Sequence, residues 1–414
     1  MRVKEKEALL ANYRVLDLTD EKGFLCGQIL ALLGAEVILI EKPGGSPARN
    51  IGPFCQDIPD PGKSLLWLAF NTNKKGITLD IETQEGKELF KKLVEKVDFV
   101  IESFSPGYMD NLGLGYSELS KINPSLIMVS ITPFGQTGPY KDFQASDLIT
   151  LGMSGLMSQC GDGDRAPLRF SVDQWQVGAL FAALGALIAL HHRHTTGEGQ
   201  LVDVSLQEAL LCCNLYNIAF WSVGKQRYKR AGFFVPRGNN IRRGLWECKD
   251  GYISWLIWTA ALGRRTRALV DWMEEEGLAG ELKDVNWEAI DLTKVSQEEI
   301  DHWENLFAPF FLRHTKKEFQ DEAAKRKMIL TPLATIEGLV NNPQLSAYDF
   351  WEDISYPELE MPILYPGRPF YSEPPQCKLK RRAPLIGEHN DEIYVKELRM
   401  PPQKLAELKR KGVV

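Results

Sequence analysis

With 414 residues, 44% of them hydrophobic and 25% charged, the chain has material for two or three packed domains. A formal net charge of -6 excludes any general attraction to nucleic acid or to an anionic membrane, and leaves room only for a local basic site. The seven cysteines (Cys26, Cys55, Cys160, Cys212, Cys213, Cys248 and Cys377) form no C-x-x-C pair and no zinc spacing, so reduced thiols, a cytoplasmic setting and no metal are expected.

Residues 1–13 are charged and lack the apolar run of a signal peptide. Beyond them, strand-like and helix-like segments alternate. Strands are predicted at residues 14–19 (RVLDLT), 36–41 (EVILIE), 77–81 (ITLDI), 98–104 (DFVIESF) and 125–131 (SLIMVSI). Helices are predicted at 23–34 and 82–96. Short Val- and Ile-rich strands separated by helices argue for a mostly parallel α/β sheet, with ligand sites in the loops after the strands. Residues 59–70 (PDPGKSLLWLAF) read either as an excursion or as a core element. Residues 174–221 read as helical on both sides of HTTGEGQ, without β character. Their longest purely apolar stretch, 177–190, is too short to cross a bilayer and reads as a buried helix. Residues 251–258 (GYISWLIW) look like a strand, and 260–330 bring charged helix patterns. The segment after Pro343 is punctuated by prolines and ends in a helix-like run. These shifts divide the chain into a large α/β domain at 1–224, a smaller domain at 225–335, and a C-terminal part at 336–414 that returns to the large domain.

The first βα turn, TDEKGFLCGQ, carries Gly23 and Gly27 but no G-x-G-x-x-G, so either close packing or a ligand loop fits it. Lys42 and Arg49 flank a Pro-Gly-Gly turn, and Lys74 and Lys75 precede a strand. The four read as a cationic anion site or as solvated charge. Ser103 and Phe104 directly follow a strand, where the ring suits either a stacked base or the core. Asp147 reads first as a helix cap. Asp173 stands just before the long apolar helix, where a carboxylate is either a cap or a reactive group. His191, His192 and His194 read as a polar helix end rather than metal ligands. Neither H-E-x-x-H nor G-x-S-x-G occurs.

Several stretches, in order, resemble the class III coenzyme A transferase family, also called CaiB/BaiF. They are VLDLT…LLGAEVILIEKPGG, FNTNKKGITLDI, DFVIESFSPGYMDNLGLGY, ITPFGQTGPY, ASDLITLGMSGLM, VDQWQVGALFAALGALIALHHRHTTGEGQLVDVSL and APLIGEHNDEIY. The resemblance implies exchange of coenzyme A between two carboxylic acids. An acyl-CoA thioester is the donor substrate, a free acid the acceptor, and no cofactor is tightly bound. It implies Asp173 as the nucleophile, forming aspartyl anhydride and thioester intermediates. Coenzyme A contacts fall by the same resemblance on Lys42, Asn73, Lys74, Lys75, Ser103 and Phe104. Ser103 replaces a common asparagine, and Asn111 stands where some members carry a phosphate-binding arginine. A glycine run found in some members is absent from residues 231–240. The implied fold is a Rossmann-like large domain built from both chain ends, an α+β middle domain, and an interlocked dimer. That dimer is a homodimer or a pair with a related subunit, in which case this chain could be a non-catalytic partner. A racemase-like or other CoA-thioester isomerase is a further alternative, but Ser146 stands where that activity uses a histidine, and serine is a poor base. Trp175, Trp221, Phe233, Phe234 and Trp246 are candidates to line the pocket of an aromatic or branched dicarboxylic acid.

Overall fold

The computed structural model describes residues 8–169, 174–225, 230–237, 240–368, 370–372 and 377–414. Contacts divide the chain into two compact units. One comprises Met1–Leu156, Ser171–Ile218 and Pro343–Val414, the other Met157–Phe170 and Ala219–Asn342.

The first unit opens with β1 (Arg14–Leu18), α1 (Phe24–Leu32), β2 (Glu36–Glu41), α2 (Leu65–Phe70), β3 (Lys75–Thr78) and α3 (Gln84–Val94). It continues through β4 (Phe99–Glu102), α4 (Tyr108–Asn111), α5 (Tyr116–Ile122), β5 (Ile127–Thr132), α6 (Asp147–Met153), α7 (Gln174–Thr196), β6 (Leu201–Ser205) and α8 (Leu206–Cys212). Local chemistry explains the helix ends. Thr83 caps α3 by accepting from Gly86 N, while Glu85 in the first turn and Lys91 and Lys92 in the last complement the helix dipole. The α6 N-cap falls on Ser146, and Asp147 stands inside the first turn, where its charge is favourable.

Six strands pair in parallel in the order β3-β2-β1-β4-β5-β6. The order reverses between β1 and β4, and a crevice opens there beyond the strand carboxyl ends. Side chains alternate between two faces. Leu16, Leu18, Ile38, Ile40, Val100 and Met128 pack with Phe90 and Leu119. Val15, Val37, Phe99, Ile101, Ile127 and Val129 pack with Leu30 and a row of α7 alanines. That row (Ala179, Ala182, Ala183, Ala186 and Ala189) makes α7 a core helix, although its length and composition would also pass for a membrane span. Its opposite face leaves Leu180, Leu184 and Ile188 more than half exposed. One reading of the sequence changes here, and one open alternative closes. Residues 201–205 form a strand, not a helix. They lie at the sheet edge, where Asp203 interrupts the apolar run that marks a central parallel strand. Residues 65–70 are core helix, with Trp67 only 1% exposed.

After α9 (Leu215–Gly224), the second unit forms the antiparallel pair β7 (Phe234–Arg237) and β8 (Asn240–Arg243). A second antiparallel sheet contains β9 (Leu245–Cys248), β10 (Gly251–Trp255) and β11 (Leu330–Pro332). The helices α10 (Gly263–Glu275), α11 (Gln297–Phe311) and α12 (Lys316–Arg326) complete it. Its core is aromatic, built on Trp246, Trp255, Trp272, Trp287, Trp303 and Phe307. Trp246 therefore packs inside this unit, 1% exposed.

The chain continues through α13 (Ile336–Val340), α14 (Pro343–Ala347), the antiparallel pair β12 (Trp351–Tyr356) and β13 (Met361–Pro366), and a π-helical turn at Asp391–Glu397. The last helix is α15 (Pro402–Arg410). Within the first unit this return covers the open side of β3. His389 N donates to Gly76 O at 2.9 Å, and Gly76 N donates to His389 Nδ1 at 3.1 Å. Asn390 Oδ1 accepts from Thr78 N at 2.9 Å, and Tyr394 OH donates to Thr78 O at 2.8 Å.

Candidate active site

A cavity of about 440 Å³ lies at the reversal point of the sheet. Its walls come from the carboxyl ends of four strands. Leu18 to Glu21 follow β1, Leu39 to Lys42 end β2, Leu79 and Ile81 follow β3, and Ser103 and Phe104 follow β4. Phe24, Trp67 and Tyr108 add aromatic surface. Phe104 and Tyr108 stack with centroids 4.5 Å apart. Beside them, Lys42 Nζ meets Glu82 Oε1 at 2.9 Å, and Tyr108 OH donates to the same oxygen at 2.5 Å. These bonds, from Tyr108 first and then Lys42, hold the Glu82 carboxyl below its usual range. Burial and the Glu82 carboxylate push the Tyr108 phenol up. A stacked aromatic pair beside a half-exposed cation suits a planar ring that carries an anionic group.

The polar wall is cross-linked. Asp20 N donates to Ser103 Oγ at 2.9 Å, and that hydroxyl donates to Asp20 Oδ1 at 2.8 Å. Lys22 pairs with Asp20. Phe104 N donates to Glu102 Oε2 at 2.8 Å. The two turns that line the cavity are thus tied to one another and to β4.

Of the residues expected at the site, Lys42, Ser103 and Phe104 meet here. Asn73, Lys74 and Lys75 do not line the cavity, because Asn73 and Lys74 precede β3 and Lys75 opens it. Asn73, at φ 66°, accepts from the backbone N–H groups of Lys380 and Arg381 at 2.7 and 3.0 Å. It also donates to Lys378 O at 2.8 Å, which pins the C-terminal return. Lys74 is fully buried and spends its three protons on Asp17 (2.8 Å), Phe24 O (2.8 Å) and Asn71 (2.9 Å). Burial pulls its pKa below the ordinary lysine value. Lys75 pairs with Glu36 and, at 2.8 Å, with Glu392. Burial lowers its pKa, but these two partners outweigh that and leave it raised. Arg49, 1% exposed, grips Glu41 through 2.6 and 2.8 Å bonds and lies over Trp67. Gly27 faces this packing rather than a ligand, since a Cβ there would meet Asp17 Oδ2 at 2.1 Å. Asp173 lies outside the described residues. Among the described residues, no cluster of three His, Cys, Asp or Glu side chains could hold a metal ion.

The residues that sequence reasoning missed are Leu79, Ile81, Glu82 and Tyr108. The signal for the first three was available. A parallel strand presents the loop after its carboxyl end to the crevice, which for ITLDIE means residues 79–82.

The description CoA-transferase family III matches residues 10–390 of this chain. The chain is 36% identical over 420 residues to succinyl-CoA:(R)-benzylsuccinate CoA-transferase subunit BbsE of Thauera aromatica, covering 98% of each protein. It is 33% identical over 408 residues to succinyl-CoA–D-citramalate CoA-transferase of Chloroflexus aurantiacus, again covering 98% of each. The crystal structure of a CAIB/BAIF family protein from Brucella suis superposes with a TM-score of 0.81 at 26% identity, over 94% of this chain and 100% of that one. The parallel sheet, the cavity at its reversal point and these matches agree, and the chain belongs to CoA-transferase family III as a CoA-transferring enzyme.

Proposed function

We propose that coenzyme A lies in the cavity between β1, β2 and β4, and that Asp173 passes coenzyme A from one dicarboxylic acid to another. The observation that carries this reading is the Phe104–Tyr108 stack beside Lys42 at the sheet reversal. The adenine ring stacks on the aromatic pair, and a phosphate of the nucleotide displaces Glu82 from Lys42.

Chemistry follows from a carboxylate nucleophile that is ionised near neutral pH and needs no base. An Asp173 oxygen attacks the thioester carbonyl, the C–S bond breaks, and coenzyme A thiolate leaves behind a mixed anhydride. The thiolate then attacks the aspartyl carbonyl and releases the donor acid, giving an aspartyl thioester. The acceptor carboxylate attacks that thioester, again freeing the thiolate and forming a second anhydride. The thiolate finally attacks the acceptor's acyl carbon, which yields the new thioester and regenerates Asp173. Positioning of the reactants and N–H donors around each oxyanion supply the rate. The relatives' names, benzylsuccinate and citramalate transferases using succinyl-CoA, support a dicarboxylic donor and acceptor.

The test is Asp173→Asn. It is expected to bind coenzyme A while losing nearly all transfer, and hydroxylamine should trap the acyl group on Asp173 of the natural protein only. Transfer at the natural rate in the variant overturns the assignment. A dimer is part of the same reading. The exposed stripe of Leu180, Leu184 and Ile188 on α7 offers an apolar face for a second copy. The subunit naming of the Thauera relative favours a second form, a pair with a related chain. Light scattering of the purified chain, with transfer assayed on the same sample, separates an active homodimer from a chain that needs a partner.

A further inference from the structure

Beneath the cavity wall lies a row of polar side chains that nucleophilic chemistry at Asp173 leaves unexplained. Glu102 ends β4 and is 3% exposed. Its register partner on β5 is Ser130, and the partner of Ser130 on β6 is Asp203. All three side chains therefore stand on one sheet face. The Glu102 carboxyl receives the Phe104 N–H at 2.8 Å and bonds to the Ser130 hydroxyl. In front of it stands Asp20, itself tied to Ser103 and paired with Lys22. Ser103 and Phe104 thus have one acidic group holding each of them, Asp20 from the turn after β1 and Glu102 from the end of β4.

We propose that Glu102 is a positioning residue for the coenzyme A cavity, fixing the spacing between the turn at 19–21 and the turn at 103–104. This rests on the reading that coenzyme A occupies that cavity. The physical handle is charge. Burial, and then the nearby Asp20 and Asp203 carboxylates, outweigh the bonds from Ser130 and Phe104 and push the Glu102 carboxyl up to about 7. A neutral Glu102 tolerates Asp20 beside it. An ionised Glu102 repels Asp20, and Asp20 is the group that holds Ser103 in the opposite wall. The sign follows. The folded-state value lies above that of an exposed carboxyl, so the favourable contribution is complete in mild acid and is lost as pH rises through about 7. Affinity for coenzyme A should fall over the same window, because ligand and neutral Glu102 favour the same wall geometry.

Calorimetric titration of the full chain with coenzyme A at about pH 6 and about pH 8.5 tests this. Dephospho-coenzyme A serves as a second ligand, since a phosphate monoester itself titrates near pH ~6. The natural protein should lose roughly three- to tenfold in affinity for both ligands between the two conditions. Glu102→Gln keeps the acceptor for Phe104 N and carries no charge, so it should hold the low-pH affinity throughout. Asp20→Asn removes a repelling neighbour, so it should shift the loss to lower pH and shrink it. An unchanged pH dependence in Glu102→Gln overturns the proposal. Phe104→Ala, run alongside, keeps the two readings apart. If it binds like the natural protein, the cavity assignment fails and Glu102 falls with it. If it weakens binding while Glu102→Gln titrates like the natural protein, only the role of Glu102 fails.

Discussion

The two ends of the parallel sheet are both rich in charge, yet they use it differently. The basic residues that open β1 and β3 or stand just before β3 meet carboxylates of the same chain. Arg14 meets Glu36 and Glu397, Lys74 meets Asp17, and Lys75 meets Glu36 and Glu392. At the carboxyl ends, the buried Arg49 holds Glu41, while Lys42 is half exposed and pairs with the exposed Glu82. A buried pair costs too much desolvation to be exchanged for a ligand, whereas an exposed pair is worth little and yields readily. On the proposed reading, Lys42 is therefore the cation that a ligand phosphate can claim.

Breaking the amino-end network should give the largest effect. Lys74→Met leaves Asp17 buried without its counter-ion and removes a donor to Phe24 O and Asn71. Stability should drop by about 3–5 kcal/mol in urea denaturation. A large loss of affinity at unchanged stability would reverse the comparison. At the carboxyl end the expectation is the opposite. Phe104→Ala should weaken coenzyme A binding by roughly tenfold, the scale of one lost base–aromatic stack, with little change in melting temperature. Lys42→Ala should do so by roughly fivefold and flatten the salt dependence. The smallest effect is expected from Glu82→Gln, which frees Lys42 and the Tyr108 phenol. Coenzyme A should bind about two- to threefold tighter at low salt, with the gain vanishing at high salt. Weaker binding instead would mean that Glu82 orients Lys42 rather than occupying it.

Much of the fold was legible because strand periodicity is local. Residues 36–41 are β2, and the helix after residue 82 is α3 within two residues at each end. Edge elements were not. β6 has five residues with an aspartate at its centre, and β12 and β13 lie in a Pro-punctuated stretch. Among site residues, Lys42, Ser103 and Phe104 follow strand ends that the sequence marks clearly. Asn73 to Lys75 belong to an equally recognisable motif, but its residues are held by partners distant in sequence. Asp17 is 57 residues from Lys74, and Lys380 is 307 from Asn73. No local pattern predicts whether a lysine's counter-ion arrives from elsewhere in the chain. The role proposed for Glu102 needed the register of three strands to become visible.

The cover over β3 has a consequence for how the chain is made. β3 is an edge strand, and its outer backbone groups are satisfied by His389, Asn390 and Tyr394, more than three hundred residues downstream. During synthesis the sheet can assemble in its natural order long before those residues leave the ribosome. For that interval it carries an open edge, the kind of surface on which β-sheets recruit one another. Residues 389–394 thus close a gap that stays open until they emerge, and a nascent chain held short of residue 389 is the species that chaperones would need to shield.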